Sequence, residues 1–139
     1  MTTIAFDGAT LAADSQYTGS HIETVQLQKI KKLSSGAYFA FAGNPGEAEQ
    51  VRKWINAGRP NDKRPKVEDF AALIVRKHSV HFMDHALEEV PMKAPVAIGS
   101  GESIALTAMD CGKTAVEAVR LAIKRDPDTG GRVRAVRVR

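Results

Sequence analysis

With 139 residues, 43% of them hydrophobic and 26% charged, the chain is long enough for one core and too apolar to be disordered. No apolar run approaches the roughly 18 residues of a membrane helix. The start MTTIAFDG also lacks the basic and apolar regions of a signal peptide. We expect one cytoplasmic domain over residues 1–139, without an internal disulfide because Cys111 is the only cysteine.

The net charge of +4 comes from the C-terminal residues RVRAVRVR. Without the arginines of this stretch, the basic residues equal the 16 acidic ones in number. Arginines that alternate with valines favour a terminal strand with one solvated face. A basic module that binds nucleic acid is the alternative, and it would bind tightly and in a salt-dependent manner.

The N-terminal part of the chain is predicted to form strands. Asp7-Gly8 lies between two short apolar stretches and indicates a hairpin. A polar connection through residues 18–20 leads to VQLQKIKKL, residues 25–33, which we predict as a strand. AYFAFAG, residues 37–43, is predicted as the next strand because its aromatic residues favour extended backbone.

The hydrophobic period changes to that of a helix after Asn44. Pro45 suits the first turn, and Gly58 followed by Pro60 provides a stop. Trp54 and the aromatic residues of the preceding strand are expected in the core rather than in a ligand cage. The face that indicates the helix consists of Ala48, Val51, Trp54 and Ile55.

The remaining elements alternate between strands and helices. The pattern therefore predicts an α+β sandwich of sheets covered by helices rather than a βαβ repeat. Thr114 opens a capping box for the last helix, which we expect to end before Asp126. The predicted segments are strands FAALIV (70–75) and VHFMDHAL (80–87), an apolar run KAPVAIGSG (93–101), a helix over 103–109 and a strand RVRAVRV (132–138).

Thr2 follows a methionine that aminopeptidases remove when the second side chain is small. Loss of Met1 would leave a hydroxyl and a free α-amine on one residue. An α-amine has a reference pKa of about 7.7 to 8.0, and a nearby ammonium would lower it further. Such a residue carries its own base for nucleophilic attack.

Five segments occur in an order that resembles proteasome β-subunits and their bacterial relative HslV. They are TTIAFDGATLAADSQYT, QKIKKL, FAGNPGEAEQ, AIGSGES and KRDPDTGG. The resemblance implies the four-layer αββα sandwich of N-terminal-nucleophile (Ntn) hydrolases. It is weaker between Asn56 and Asp69, where family members have a longer second helix, so we expect that helix to be shortened.

The resemblance also implies roles for residues of the N-terminal part. Thr2 matches the nucleophile, with its α-amine as the base. Asp14 matches the acidic partner of Lys29, whose charge lowers neighbouring pKa values. Gly43 matches the residue whose backbone N–H forms the oxyanion hole, and it would also contact substrate. Thr18 matches a residue whose backbone pairs with an extended substrate strand.

Three residues of the C-terminal part complete the implied site. Ser100 matches a serine close to the threonine amine. Asp126 and Thr129 match an acidic residue and a hydroxyl in the surrounding hydrogen-bond network. Thr129 is a departure, since the family commonly has serine, but the hydroxyl is kept. No metal or cofactor is required.

The implied function is that of a threonine endopeptidase on unfolded polypeptide, assembled as a homo-oligomeric ring, with an AAA+ unfoldase as a possible partner. Two alternatives stay open. An amidohydrolase of the same fold would cut short amides rather than unfolded protein. A catalytically silent oligomer would retain Met1.

Other motifs indicate no further chemistry. His78, His81, Asp84 and His85 lie close together in sequence, but in a strand His81 and His85 are too far apart to share a zinc ion. A Walker motif and a dinucleotide fingerprint are both missing from the sequence, so we do not expect this chain to bind ATP itself.

Overall fold

The computed structural model describes residues 2–19 and 23–138 of the chain. Met1, whose removal the sequence analysis predicts, lies outside the described residues. Ser20 of the predicted polar connection and the terminal Arg139 also lie outside them.

The described residues form helices and strands in mixed order. The helices are α1 Pro45–Asn56, α2 Glu102–Asp110 and α3 Ala115–Arg125. The strands are β1 Thr3–Phe6, β2 Thr10–Ala13, β3 Tyr17–Thr18, β4 Glu23–Thr24, β5 Ile30–Lys32, β6 Tyr38–Gly43, β7 Phe70–Arg76, β8 Ser79–Met83, β9 Val90–Met92, β10 Val96–Gly99 and β11 Arg134–Arg137.

Two antiparallel sheets form the centre of the molecule. One has the order β10-β1-β2-β11, and the other has the order β5-β6-β7-β8-β9. Their facing sides share a buried core that includes Ile4 and Leu11 from the first sheet and Leu73 and Val75 from the second. Burial of this apolar surface holds the sheets together.

A helical layer covers the outer side of each sheet. Val51 and Trp54 of α1 pack on the outer face of the second sheet. Helices α2 and α3 cover the first sheet, where Ala105 and Val119 contact Ala5 and Ala12 in a separate core. The molecule is therefore a four-layer αββα sandwich, which confirms the predicted fold class.

Helix α1 begins where the sequence predicts. The Asn44 side chain caps it by accepting hydrogen bonds from the backbone N–H groups of Gly46 and Glu47. After α1 the chain forms only a 3-10 turn at Asn61–Lys63 before β7. The segment between α1 and β7, where we expected a shortened helix, thus contains only this turn.

The predicted hairpin at Asp7-Gly8 joins β1 to β2. The Asp7 carboxylate accepts hydrogen bonds from the backbone of Ala9 and Thr10, and from Ala115 at the start of α3. One side chain thereby connects the hairpin to the helical layer. Burial would raise the pKa of Asp7, but these hydrogen bonds outweigh it and lower the pKa.

Two strand predictions are wrong in extent. Of residues 25–33, only Ile30–Lys32 form a strand, because Leu27 instead donates its backbone N–H to Ser15 in the neighbouring segment. The strand predicted over residues 80–87 ends at Met83, since Asp84 starts a turn in which its carboxylate and carbonyl accept backbone hydrogen bonds. Strands β3, β4 and β9 were not predicted. Within the described residues, no helix is long and apolar enough to span a membrane.

Candidate active site

Thr2 lies directly before β1, at the end of the sheet where Thr3 pairs with Gly99 of β10. The residue is only 3% exposed, and it lines two pockets. The smaller pocket has a volume of about 90 Å³ and the larger one about 240 Å³. Thr2 therefore borders two spaces that a ligand can fill.

Lys29 is the closest charged neighbour of Thr2. Its Nζ atom donates a hydrogen bond to Thr2 Oγ1 and another to Asp14 Oδ1 at 2.8 Å. The side chains of Lys29 and Asp14 are 1% and 0% exposed. Burial lowers the pKa of the Lys29 ammonium, and the attraction of Asp14 offsets this effect only in part.

Asp14 is held in place by the backbone as well as by Lys29. Its carboxylate accepts hydrogen bonds from the N–H groups of Thr3 and Gly130, each at 3.1 Å. A buried carboxylate is tolerated when donors satisfy its oxygens. The end of β2 thus presents a fixed negative charge to the lysine.

A second hydrogen-bond chain reaches Thr2 from the other side. The backbone nitrogen of Thr2 donates to Ser100 Oγ at 3.2 Å, and Ser100 donates to Asp126 at 2.6 Å. Thr129 donates to the same Asp126 oxygen at 2.5 Å. Burial would raise the pKa of Asp126, but the hydrogen bonds from Ser100 and Thr129 outweigh it and lower the pKa.

Thr3 connects the two groups of hydrogen bonds around Thr2. This role was not predicted from the sequence. Because Thr129 uses its hydroxyl hydrogen on Asp126, the Thr3 hydroxyl donates to Thr129 Oγ1 over 2.8 Å. The Thr3 N–H bonds Asp14, so the network closes on itself. The tandem threonine at the start of the chain was the available signal for this role.

Gly43 ends β6 and has a φ of +96°, a conformation that favours glycine. A side chain there would also collide with the backbone carbonyl of Asp69. Gly43 lines both pockets together with Thr2. The position therefore requires glycine on structural grounds, and it lies at the start of α1, where backbone N–H groups favour negative charge.

Thr18 lies on the wall of the smaller pocket and is exposed. It belongs to β3, which pairs through Thr18 with Glu23 of β4. The Gln16 side chain donates to Thr18 Oγ1 at 3.2 Å and to the carbonyl of Pro127 at 3.2 Å. Gln16 thus fixes this wall against the loop that carries Asp126, and no sequence motif indicated this contact.

The structure brings every predicted site residue into one region. Six of them join the hydrogen-bond network, while Gly43 and Thr18 line the pockets beside it. The six are Thr2, Asp14, Lys29, Ser100, Asp126 and Thr129. The arrangement places a cation on the threonine hydroxyl and a hydrogen-bond acceptor on the threonine nitrogen.

His81 lies in β8, where its ring is close to Arg76 and Glu89. Across residues 2–19 and 23–138, no group of three or more His, Cys, Asp or Glu side chains is arranged to hold a metal ion.

Solved structures of other proteins have a fold similar to this four-layer sandwich. HslV from Trypanosoma brucei matches with a TM-score of 0.72 and 18% identity over 97% of each chain. Thiobacillus denitrificans BPH in complex with epoxomicin matches with a TM-score of 0.72 and 16% identity, over 99% of this chain and 98% of that one. No curated protein matches the sequence.

The fold defines the class: the chain has the four-layer αββα architecture of Ntn hydrolases, similar to that of HslV. The family described as proteasome subunit matches residues 2–87, which cover β1 to β8 and most of the site. The chain belongs to the proteasome subunit family, as the sequence resemblance predicted.

Proposed function

We propose that the chain is a threonine-type endopeptidase in which Thr2, exposed as the first residue by loss of Met1, attacks peptide carbonyls. The observation that carries the proposal is the hydrogen bond from Lys29 Nζ to Thr2 Oγ1, made by an ammonium that also pairs with buried Asp14. A cation in this position stabilises the alkoxide character of the attacking oxygen.

The proton of the Thr2 hydroxyl passes to the free α-amine of the same residue. The positive charge of Lys29 lowers the pKa of that amine, which makes it a base at neutral pH. The Ser100 hydroxyl accepts a hydrogen bond from the Thr2 nitrogen at 3.2 Å and so fixes its direction. Asp126 in turn orients Ser100.

The Gly43 N–H stabilises the oxyanion of the tetrahedral intermediate. The intermediate collapses when the C–N bond breaks and the leaving amine takes the proton from the α-amine. The product is an ester between Thr2 Oγ1 and the acyl part of the substrate. Water then attacks this ester and gives a proton to the α-amine. The bond between the acyl carbon and Thr2 Oγ1 breaks, the acyl part leaves as a carboxylic acid, and Thr2 Oγ1 takes the proton back.

An extended polypeptide is the substrate that suits the site best. The two pockets that Thr2 lines suit the side chains that flank a scissile bond. The exposed edge residue Thr18 offers its backbone for strand addition. We place this activity in one domain over residues 1–139.

We further propose that the protein works as a homo-oligomeric ring in the cytoplasm, since enclosure would keep a broad protease away from folded proteins. An AAA+ unfoldase is the partner that such a ring would need for folded substrates. Membership of the proteasome subunit family supports this part of the proposal. Sedimentation analysis that finds only monomers would contradict it.

Intact mass spectrometry tests the nucleophile. We expect the purified protein to lack Met1 and to gain one adduct per chain from a threonine-directed electrophile. Peptide mapping should place the adduct on Thr2. Thr2→Ala is the control, and it should give the same trimmed, folded chain without an adduct.

A trimmed chain that gains no adduct and cleaves no unfolded protein would contradict the proposed function. Cleavage of short amides with no activity on unfolded casein would instead favour a small-amide hydrolase. Retention of Met1 in an inactive oligomer would favour a silent member of the family.

A further inference from the structure

Asp69 borders both pockets beside Thr2, although the sequence gives it no role. Its backbone is fixed on both sides. The Asp69 N–H donates to Glu47 Oε1 at 2.8 Å, and the Asp69 carbonyl accepts from the Asn44 N–H at 2.7 Å. The backbone of Asp69 is therefore held in place by the start of α1.

The Asp69 carboxylate differs from the other carboxylates of the site. Asp14 and Asp126 are saturated by hydrogen bonds from site residues. The Asp69 residue is exposed, and its carboxylate makes no ion pair or hydrogen bond with any side chain or backbone group in the described part of the chain. It is a negative charge that faces the pockets with capacity for a ligand.

The Asp69 carboxylate also lies close to the proposed oxyanion hole. A Cβ atom placed on Gly43 would be 2.9 Å from Asp69 Oδ1. Negative charge close to Gly43 opposes the charge that develops on the substrate oxygen there. A cation brought in by the substrate would neutralise it.

We propose that Asp69 makes the site selective for polypeptides with a Lys or Arg side chain next to the scissile bond. The inference rests on the proposed function. The larger pocket receives the cation, because its volume of about 240 Å³ fits a long side chain. The smaller pocket, at about 90 Å³, receives the side chain on the other side of the bond.

Paired peptides measure this selectivity in the active protein. Two internally quenched peptides that differ only in Lys or norleucine are compared, with the variable residue before the bond in one pair and after it in another. Norleucine matches the length of lysine without its charge. We expect the wild type to prefer lysine in at least one pair by about five-fold in kcat/KM.

Asp69→Asn should bring that preference close to one, and the preference of the wild type should also fall as salt is raised. Asp62→Asn is the matched control, because Asp62 is exposed in the 3-10 turn and lines neither pocket. The control should keep the full preference. An equal change of both peptides in Asp69→Asn would overturn the inference, since a purely structural effect lowers both rates together.

Binding without turnover separates this inference from the proposed function. In the Thr2→Ala protein, fluorescence anisotropy should show tighter binding of the lysine peptide, and Asp69→Asn in the same background should remove the difference. Equal binding of the lysine and norleucine peptides overturns the role of Asp69, whatever the activity of Thr2. Selective binding together with failure of Thr2 to react would leave Asp69 as the determinant of a peptide site and contradict the protease.

Discussion

Lys29–Asp14 and Arg76–Glu89 are two ion pairs with the same separation of 2.8 Å in very different surroundings. The first pair is buried next to Thr2, with side-chain exposures of 1% and 0%. The second lies at the junction of β7 and the segment before β9, with exposures of 40% and 16%.

The surroundings decide whether the pKa of the paired cation is lowered or raised. Burial lowers the pKa of Lys29 in spite of Asp14. The hydrogen bond to Glu89 instead raises the pKa of Arg76, and it lowers the pKa of Glu89 to about 2 with help from Arg59. The buried pair therefore holds a charge at a cost in solvation, whereas the exposed pair stabilises its charges. Two ion pairs with the same N···O distance can thus shift the pKa of their cations in opposite directions.

Removal of the buried cation should have the largest effect. We expect Lys29→Met to lower peptide turnover by about 100- to 1000-fold, because the attacking oxygen loses its electrostatic support. The free energy of unfolding should fall by about 3 to 5 kcal/mol, because Asp14 stays buried without its partner. Turnover assays and urea denaturation measure the two effects.

Arg76→Met is the matched control in the exposed pair. Turnover should stay within about two-fold, and stability should fall by about 1 kcal/mol, since Arg59 still pairs with Glu89. A Lys29→Met protein that keeps full activity would contradict the role proposed for the buried pair.

Neutralising both members of the buried pair should separate stability from activity. We expect Asp14→Asn with Lys29→Met to recover about 2 kcal/mol of the stability that Lys29→Met alone loses, because no unpaired charge is left in the core. Turnover should not recover, since the cation is still missing. Urea denaturation of the wild type, both single variants and the double variant gives the coupling energy, and zero coupling would show that the two side chains act independently.

The exposed pair should appear in the acid titration of stability. The pKa of Glu89 is about 2 in the folded protein, below its ordinary value near 4.5. The stabilisation is therefore complete above pH 4.5 and is lost as the pH falls toward 2. Because solvent screens part of the interaction, we expect a loss of about 1 kcal/mol, which Glu89→Gln should remove. Identical titrations of the wild type and the variant between pH 5 and pH 2 would assign the acid sensitivity to other carboxylates.

Periodicity and capping residues were sufficient to predict the helices, since those signals are local. Asn44 and Pro45 mark the start of α1, and the capping box at Thr114 marks α3. The residues around Thr2 were found only through the family resemblance. Nothing in the spacing of Asp14 and Lys29 indicates that they meet at the end of a sheet.

Contacts between residues that are far apart in the sequence could not be predicted from it. Asp69 was missed because it reaches the site only through hydrogen bonds to Glu47 and Asn44, more than 20 residues earlier. Strand β9 was missed because it is exposed and contains Pro91, which is unfavourable in a central strand. The strand predicted from Val25 is short because its first half bonds to the loop after β2 instead.

The Glu47 carboxylate holds the wall of the cleft beside Thr2 in place. A single oxygen of this side chain accepts both the Glu68 and the Asp69 N–H groups, and so it ties the end of the connection to the first turn of α1. One side chain therefore fixes the rim of both pockets beside Thr2, although the segment between α1 and β7 contains only a 3-10 turn.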